Sequence, residues 1–115
     1  MKRTLIVDDM EEVYRRISRK FENPTYAGTV EKGLKEIASG NYDLIISDYH
    51  LGDEAPKGGE EIIRAAKAKG LDCILMSRDY HEKEAEELGA RFIFKKKLLE
   101  SKNINKLLMD YDRRK

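Results

Sequence analysis

The sequence lacks several features that would place it in a specialised class of protein. It has one cysteine, Cys73, so no disulfide can form within the chain, and it has no tryptophan and only two prolines. No apolar run approaches the roughly 20 residues that a membrane-spanning helix needs. The first residues, MKRTLIVDD, reach two aspartates after a short apolar run, which excludes a secretory signal peptide. We therefore expect a cytoplasmic protein.

Charge of either sign is abundant but balanced. The 23 basic and 22 acidic residues give a formal net charge of +1, so the chain as a whole has no general attraction for nucleic acid or anionic lipid. The basic clusters FKKKLL and DRRK are typical of solvated helix surface. We expect neither nucleic acid nor a membrane as a partner, and 115 residues predict a single domain spanning residues 1–115.

Short apolar runs alternate with segments of helical periodicity. The runs TLIV, TYA, YDLIIS, CILM and RFIF predict five strands, and the longer ones are apolar on both faces, as in a buried parallel sheet. Helical stripes follow each of them, with the fourth predicted at residues 81–88. The other stripes are Val13, Ile17 and Phe21; Val30, Leu34, Ile37 and Ala38; Ile62, Ile63 and Ala66; and Ile104, Leu107, Leu108 and Tyr111.

This (βα)5 order predicts an α/β fold with a five-stranded parallel sheet and helices on both faces. In doubly wound folds, ligands bind outside the carboxyl ends of the strands. Polar residues follow four of the five predicted strands: Asp8 and Asp9, Asp48, Ser77, and the run Lys95, Lys96 and Lys97. The sequence therefore predicts three carboxylates, a hydroxyl and an ammonium at one edge of the sheet.

Three clustered carboxylates repel one another unless some are protonated or a cation lies among them. A site of oxygen ligands suits Mg²⁺, which keeps several waters and also binds phosphate oxygens. A lysine ammonium is the complementary charge for a phosphate, and an aspartate carboxylate can itself act as the nucleophile. The set predicts phosphoryl transfer to Asp48. His50 and His81 are expected to be exposed loop residues, because neither has a second histidine or cysteine at metal-ligand spacing.

Four motifs of the sequence resemble those of a known family. The motifs LIVDD, LIISDYHL, ILMS and GARFIFKKK, in this order and spacing, are similar to those of the receiver domain of bacterial two-component response regulators. The segment GGEEI resembles the start of that family's third helix. The resemblance covers the whole chain and implies a flavodoxin-like fold with strand order 2-1-3-4-5, as a stand-alone receiver domain with no output domain.

The resemblance also implies a role for each residue of the cluster. Asp48 would be the phosphoacceptor, Asp9 a direct ligand of Mg²⁺, and Asp8 a ligand through water. The main-chain carbonyl of His50 would complete the protein ligands, and Ser77 would be the hydroxyl that moves toward the phosphoryl group. Such a domain is not a conventional enzyme, although it catalyses its own aspartyl phosphorylation and dephosphorylation.

The phosphate-binding lysine has to be chosen from three consecutive lysines. In the family this lysine usually stands seven residues after the glycine of a Gly-Ala pair, here Gly89, which selects Lys96. If the intervening loop is one residue shorter, Lys95 takes the role. With Lys96 chosen, Ile93 occupies the family's aromatic position on strand five, and Lys97 occupies that of a proline.

Two further departures from the family lie near the predicted site. Arg78 follows Ser77 where a small residue is usual, and a long cation there would cover the phosphoryl group, slow attack by water or obstruct small phosphodonors. The loop after Asp48 is longer than usual and adds Asp53 and Glu54.

The resemblance implies two protein partners. One is a histidine kinase or phosphotransfer protein, which supplies the phosphoryl group. The other is a downstream effector that binds the surface formed by helix four, strand five and helix five, here residues 80–88, 92–96 and 103–111.

Other functions fit the same pattern. One alternative is a degenerate receiver that binds its partner without phosphorylation. Arg78, Lys97 and the loop with Asp53 and Glu54 favour this alternative. A haloacid-dehalogenase-type phosphatase is disfavoured, because that class usually has a second aspartate two residues after the nucleophile. His50 and Met10 occupy those positions after Asp48 and Asp8. A flavodoxin-like flavin carrier is disfavoured because no Ser/Thr/Gly-rich loop follows strand one.

Overall fold

The structure is a computed structural model that describes the backbone of residues 2–112 and the side chains of residues 2–108. Five parallel strands form one sheet in the order β2-β1-β3-β4-β5, which confirms the predicted topology. The strands are β1 (Thr4–Val7), β2 (Pro24–Ala27), β3 (Leu44–Asp48), β4 (Asp72–Ser77) and β5 (Arg91–Phe94). The helices are α1 (Glu11–Ser18), α2 (Val30–Ser39), α3 (Gly58–Ala68), α4 (Glu82–Leu88), α5 (Lys95–Glu100) and α6 (Ile104–Asp112).

Alternate residues of the central strands face two separate hydrophobic clusters. On β1, Leu5 and Val7 pack into one cluster and Ile6 into the other, as the two-residue period of a strand requires. Helices α2, α3 and α4 cover the first cluster, and α1, α5 and α6 cover the second. The prediction of helices on both faces is therefore confirmed. No helix of the described residues is long and apolar enough to span a membrane.

Two helix boundaries differ from the predictions, and one predicted residue cannot be compared. Helix α1 ends at Ser18, so Phe21 packs against the second cluster from a turn rather than from the helix. His81 lies at the N-cap of α4 instead of inside the helix. The side chain of Tyr111, the last residue of the predicted final stripe, lies outside the described part of the chain.

Helix α5 is an additional element, and the sequence pattern did not predict it. It begins at Lys95, directly after β5, and buries Lys95 and Leu98. Lys20, just after α1, donates hydrogen bonds to the carbonyls of Leu98, Leu99 and Ser101 at 2.6–2.7 Å. These carbonyls at the end of a helix have no intrahelical donors, so the ammonium supplies partners for them. Lys20 thereby attaches α5 to the end of α1.

We expect Lys20→Met to destabilise the fold, because the variant leaves the carbonyls at the end of α5 without their charged donor. The free energy of unfolding should fall by about 1–3 kcal/mol, the contribution of hydrogen bonds to a charged group. Urea unfolding followed by circular dichroism measures this change. Lys35→Met is the matched control, because Lys35 is exposed and forms only an i,i+4 pair with Glu31 at 3.6 Å. Equal stability of the two variants would contradict the attachment of α5 by Lys20.

Candidate phosphoacceptor site

The parallel register brings Asp8 and Asp48 side by side. Val7 of β1 pairs with Ser47 of β3, so the next residues, Asp8 and Asp48, lie at the same level of the sheet. Both are buried, at 0% and 6% exposure, whereas Asp9 is exposed. Carboxylate oxygens of the three aspartates lie within 4.8 Å of one another. The predicted carboxylate cluster is therefore present in the structure.

The end of β3 is fixed in place by the close approach of α3. A Cβ on Gly59 would lie 2.3 Å from the carbonyl oxygen of Asp48 and 2.7 Å from Cα of Tyr49, so only glycine fits against this backbone. The Gly59 N–H donates to the carbonyl of Tyr49 at 2.9 Å, and the Tyr49 N–H donates to that of Met76 on β4 at 2.9 Å. The backbone on the C-terminal side of Asp48 is thus held by two neighbouring elements.

The lysine at this cluster is Lys95 and not Lys96, which corrects the prediction from residue counting. Lys95 Nζ lies 2.8 Å from Asp48 Oδ2 and 3.0 Å from Asp8 Oδ2, and the residue is only 4% exposed. Lys96 and Lys97 are exposed. The alternative that the sequence left open, a loop one residue shorter, is the one found in the structure.

The short connection between α4 and β5 explains the different register. Gly89 ends α4 in the left-handed conformation with φ of +77°, and β5 begins only two residues later, at Arg91. Phe94 then pairs with Ser77, which places Lys95 at the carboxyl edge of the sheet. With Lys95 as the site lysine, the aromatic position that the sequence resemblance implies on strand five falls on Phe92 instead of Ile93.

Burial dominates the ionisation of the carboxylates. It raises the pKa of Asp48 despite the hydrogen bond and charge of Lys95, and it raises the pKa of Asp8 despite the Met10 N–H and Lys95. For Lys95, burial alone would lower the pKa, but the hydrogen bond to Asp48 and the charges of both aspartates outweigh it and raise the pKa. The ammonium therefore stays charged between the two carboxylates.

The donor set fits a divalent cation. One oxygen of Asp8 accepts a hydrogen bond from the Met10 N–H at 2.8 Å. The other, Oδ2, is buried, and its partner is the Lys95 ammonium, with Nζ 3.0 Å away. Three neighbouring carboxylates with only one ammonium between them form an all-oxygen ligand set that suits a hard cation such as Mg²⁺.

Ser77, at the end of β4, is also part of the site. It is 5% exposed, its hydroxyl accepts a hydrogen bond from the Asp79 N–H at 3.2 Å, and it lines the same cleft as Asp48 and Lys95. This cleft has a volume of about 320 Å³. Its other lining residues are Asp9, Met10, Tyr49, His50, Pro56, Arg78, Asp79 and His81.

Of the two histidines, His50 is exposed as expected, whereas His81 is half-buried. The His81 ring stacks on the Tyr49 ring, with centroids 3.8 Å apart, and its Nδ1 lies 2.8 Å from Glu84. The Tyr49 hydroxyl donates to Glu60 at 2.8 Å, and burial with this carboxylate raises the pKa of Tyr49 to about 12. Sequence reasoning missed this packing, because the two rings belong to loops that are 32 positions apart in the sequence.

The predicted partner surface contains an exposed aromatic cluster. Tyr80 is 63% exposed and Phe94 is 36% exposed, with their ring centroids 6.4 Å apart. The buried Phe92 ring lies against both of them. The helical part predicted at residues 103–111 corresponds to α6, of which Ile104, Leu107 and Leu108 pack against the second cluster. The surface is therefore formed by α4, β5 and α6.

The two lysines can be distinguished by stability. Lys95→Met leaves two buried carboxylates without their counter-charge and should lower the free energy of unfolding by about 3–5 kcal/mol at pH 7. Lys96→Met should change it by less than about 0.5 kcal/mol, because Lys96 is exposed. Urea unfolding in the presence of a chelator measures both.

The loss of unfolding free energy caused by Lys95→Met should become smaller as the pH is lowered. An acid whose pKa is raised in the folded state destabilises the fold as pH rises, and protonation removes the uncompensated charge. A larger loss of stability in Lys96→Met than in Lys95→Met would contradict the assignment of Lys95.

Comparison with solved structures shows the same fold over the full length. The receiver domain of the Francisella response regulator 1452 matches with a TM-score of 0.72 and 19% sequence identity, covering 100% of both chains. A CheY-like response regulator receiver domain protein from Methanospirillum hungatei JF-1 matches with a TM-score of 0.69 and 23% identity, covering 100% of this chain and 99% of the other.

A third similar structure is a response regulator protein from Burkholderia pseudomallei with a phosphorylated aspartic acid, a calcium ion and citrate. It has a TM-score of 0.70 and 19% identity, over 94% of this chain and 65% of the other. No protein-family model and no curated protein matches the sequence. At such low identity the likeness concerns the fold. The chain has the fold of a response-regulator receiver domain.

Proposed function

We propose that this protein is a signalling domain that accepts a phosphoryl group on Asp48 from a histidine kinase or a phosphotransfer protein. The observation that carries the proposal is the buried contact of Lys95 with both Asp48 and Asp8, next to the exposed carboxylate of Asp9. The fold alone would not support this proposal, because the same fold occurs in proteins with many different functions. The arrangement combines a nucleophile, a cation for the phosphoryl oxygens and a ligand set for a metal.

Asp8, Asp9, Asp48 and the main-chain carbonyl of His50 would hold Mg²⁺. When bound, the ion would neutralise carboxylate charge and polarise the phosphoryl oxygens. The close approach of the three carboxylates, whose oxygens lie within 4.8 Å of one another, supports this assignment. The similar Burkholderia protein contains both a phosphorylated aspartic acid and a calcium ion, which supports the proposal of an aspartyl phosphate and a divalent cation in this protein.

In the proposed reaction an oxygen of the Asp48 carboxylate attacks the phosphorus atom of a phosphohistidine. The bond from Asp48 oxygen to phosphorus forms as the phosphorus–nitrogen bond breaks, and the electron pair returns to the imidazole, which takes up a proton. Lys95 favours the ionised form of the Asp48 carboxylate, opposing the effect of burial, and would bind a phosphoryl oxygen after the reaction. The rate advantage comes from positioning and from charge neutralisation.

Ser77 would transmit the phosphorylation. Its hydroxyl lies in the cleft with Asp48 and would turn from the Asp79 N–H to a phosphoryl oxygen. The β4–α4 loop would follow, changing the surface of α4, β5 and α6 that contains Tyr80 and Phe94. A downstream protein that binds one form of this surface better would shift the equilibrium between the two forms.

Phosphorylation can be tested with a small phosphodonor such as acetyl phosphate in the presence of Mg²⁺. We expect one phosphate per chain, stable in acid and labile in base, measured by intact-protein mass spectrometry. Asp48→Asn should abolish it, and Lys95→Met should slow it at least about tenfold, as loss of a preorganised electrostatic contact does. Lys96→Met should leave it unchanged. Equal phosphate on wild type and Asp48→Asn, or none from either this donor or a cognate kinase, would reject the proposal.

Cation binding has its own test. The free energy of unfolding should rise with Mg²⁺ concentration by about 1.4 kcal/mol for each tenfold increase above the dissociation constant, because the ion binds only the folded chain. Asp9→Asn should remove most of this dependence. Asp53→Asn is the matched control, because Asp53 is exposed on the loop between β3 and α3. A dependence on Mg²⁺ that persists unchanged in Asp9→Asn would contradict the assigned ligand set.

A phosphorylation-independent binding domain is the second candidate. The observation in its favour is Arg78, whose guanidinium reaches across the cleft to Met10 and narrows the approach to Asp48. Partner binding that is tight and unchanged by Asp48→Ala would favour this function over phosphoryl transfer.

A further inference from the structure

Arg78 lies at the mouth of the cleft and contacts the opposite side. It follows Ser77 in the β4–α4 loop, whereas Met10 lies in the connection between β1 and α1. The Arg78 guanidinium donates to Met10 Sδ at 3.5 Å, and both side chains line the cleft that contains Asp48 and Lys95. Because β3 lies between β1 and β4 in the sheet, these two loops meet across the end of the strand that carries Asp48.

The partner of Arg78 is unusual for an arginine. A thioether is a weak acceptor, whereas guanidinium groups are normally paired with carboxylates or phosphates. Among the residues with described side chains, no carboxylate lies within ion-pair distance of Arg78, although Asp9 and Asp79 line the same cleft. Arg78 is therefore a cation at the entrance of the site that forms no ion pair with any described side chain.

Formation of an aspartyl phosphate would supply that anion. The reaction replaces the single charge of Asp48 with the two negative charges of an acyl phosphate, and the phosphoryl group extends from Asp48 into the cleft. Lys95, which is already in contact with both buried aspartates, would be the inner cation. Arg78 would be the outer one, on the side from which water and phosphodonors approach.

On the basis of the proposed function, we propose that Arg78, held against Met10, covers the phosphoryl group on Asp48 and protects it from hydrolysis. In that hydrolysis a water oxygen bonds to phosphorus and the bond from phosphorus to the Asp48 oxygen breaks. The products are the Asp48 carboxylate and hydrogenphosphate, and one proton passes to solvent. Closing the mouth of the cleft excludes the attacking water. The expected consequence is a long-lived phosphorylated state.

The first test is the rate at which purified phosphoprotein loses its phosphate after the donor is removed. Arg78→Ala should accelerate the loss by about fivefold or more, and Met10→Ala should also accelerate it, because the arginine loses its contact. The double variant should be no faster than Arg78→Ala, because the two residues act as a unit. Arg19→Ala is the matched control, since Arg19 is exposed at the opposite end of the sheet, near Thr4. Loss from Arg78→Ala at the wild-type rate or slower would overturn the proposal.

A second test does not depend on phosphorylation. In an Asp48→Cys variant, the rate of alkylation by iodoacetamide reports access to position 48, with the buried Cys73 of the wild-type chain as background. Adding Met10→Ala opens the mouth without changing charge and should raise this rate by about fivefold. An unchanged rate would overturn the covering role of Arg78 and Met10. A different result is that Met10→Ala raises the alkylation rate while no phosphate forms on Asp48 in the wild type. In that case the proposed function is wrong, but Arg78 and Met10 do cover the cleft.

Discussion

The contact of one buried ammonium with two buried carboxylates determines the form of this end of the molecule. Asp8 and Asp48 are almost fully removed from water, and the desolvation of each charge costs several kcal/mol unless a counter-charge offsets it. Lys95 Nζ lies within 3.0 Å of both and supplies that counter-charge. Because the three residues belong to the ends of β1 and β3 and the start of α5, the same contact also joins these elements.

The charges of the three aspartates and Lys95 do not balance, and this imbalance makes the site responsive to a bound cation or phosphoryl group. Three carboxylates against one ammonium leave the site negative, which favours a cation next to Asp9. In the proposed phosphorylated state, the phosphoryl group would lie between Lys95 and Arg78. Under the proposed function, binding of a cation or formation of an aspartyl phosphate would change the charges next to Lys95, which contacts both buried aspartates in the present state.

The sequence predicted the parts of the fold that depend on hydrophobic period. The central strands are apolar on both faces because each face meets a separate cluster, and the polar residues after them lie at the sheet edge because parallel strands end together. The lysine could not be assigned from spacing. Its register depends on the left-handed turn at Gly89 and on β5 beginning at Arg91, and a difference of one residue there reverses which lysine faces the site. Helix α5 was missed because its six residues are too few to display a helical period.

The unpredicted helix also explains how a short lysine segment can be held rigidly. Lys95 is the first residue of α5, Leu98 is fully buried beneath the sheet, and Lys20 binds the carbonyls at the far end. The position of the site lysine is therefore set by contacts with α1 and the second hydrophobic cluster as well as by the aspartates. Since a flexible loop would have to lose conformational entropy to place the ammonium, a helix fixed at both ends keeps Lys95 in position at a lower cost. The position of the Lys95 ammonium therefore depends both on its contacts with Asp8 and Asp48 and on the packing of α5 against α1.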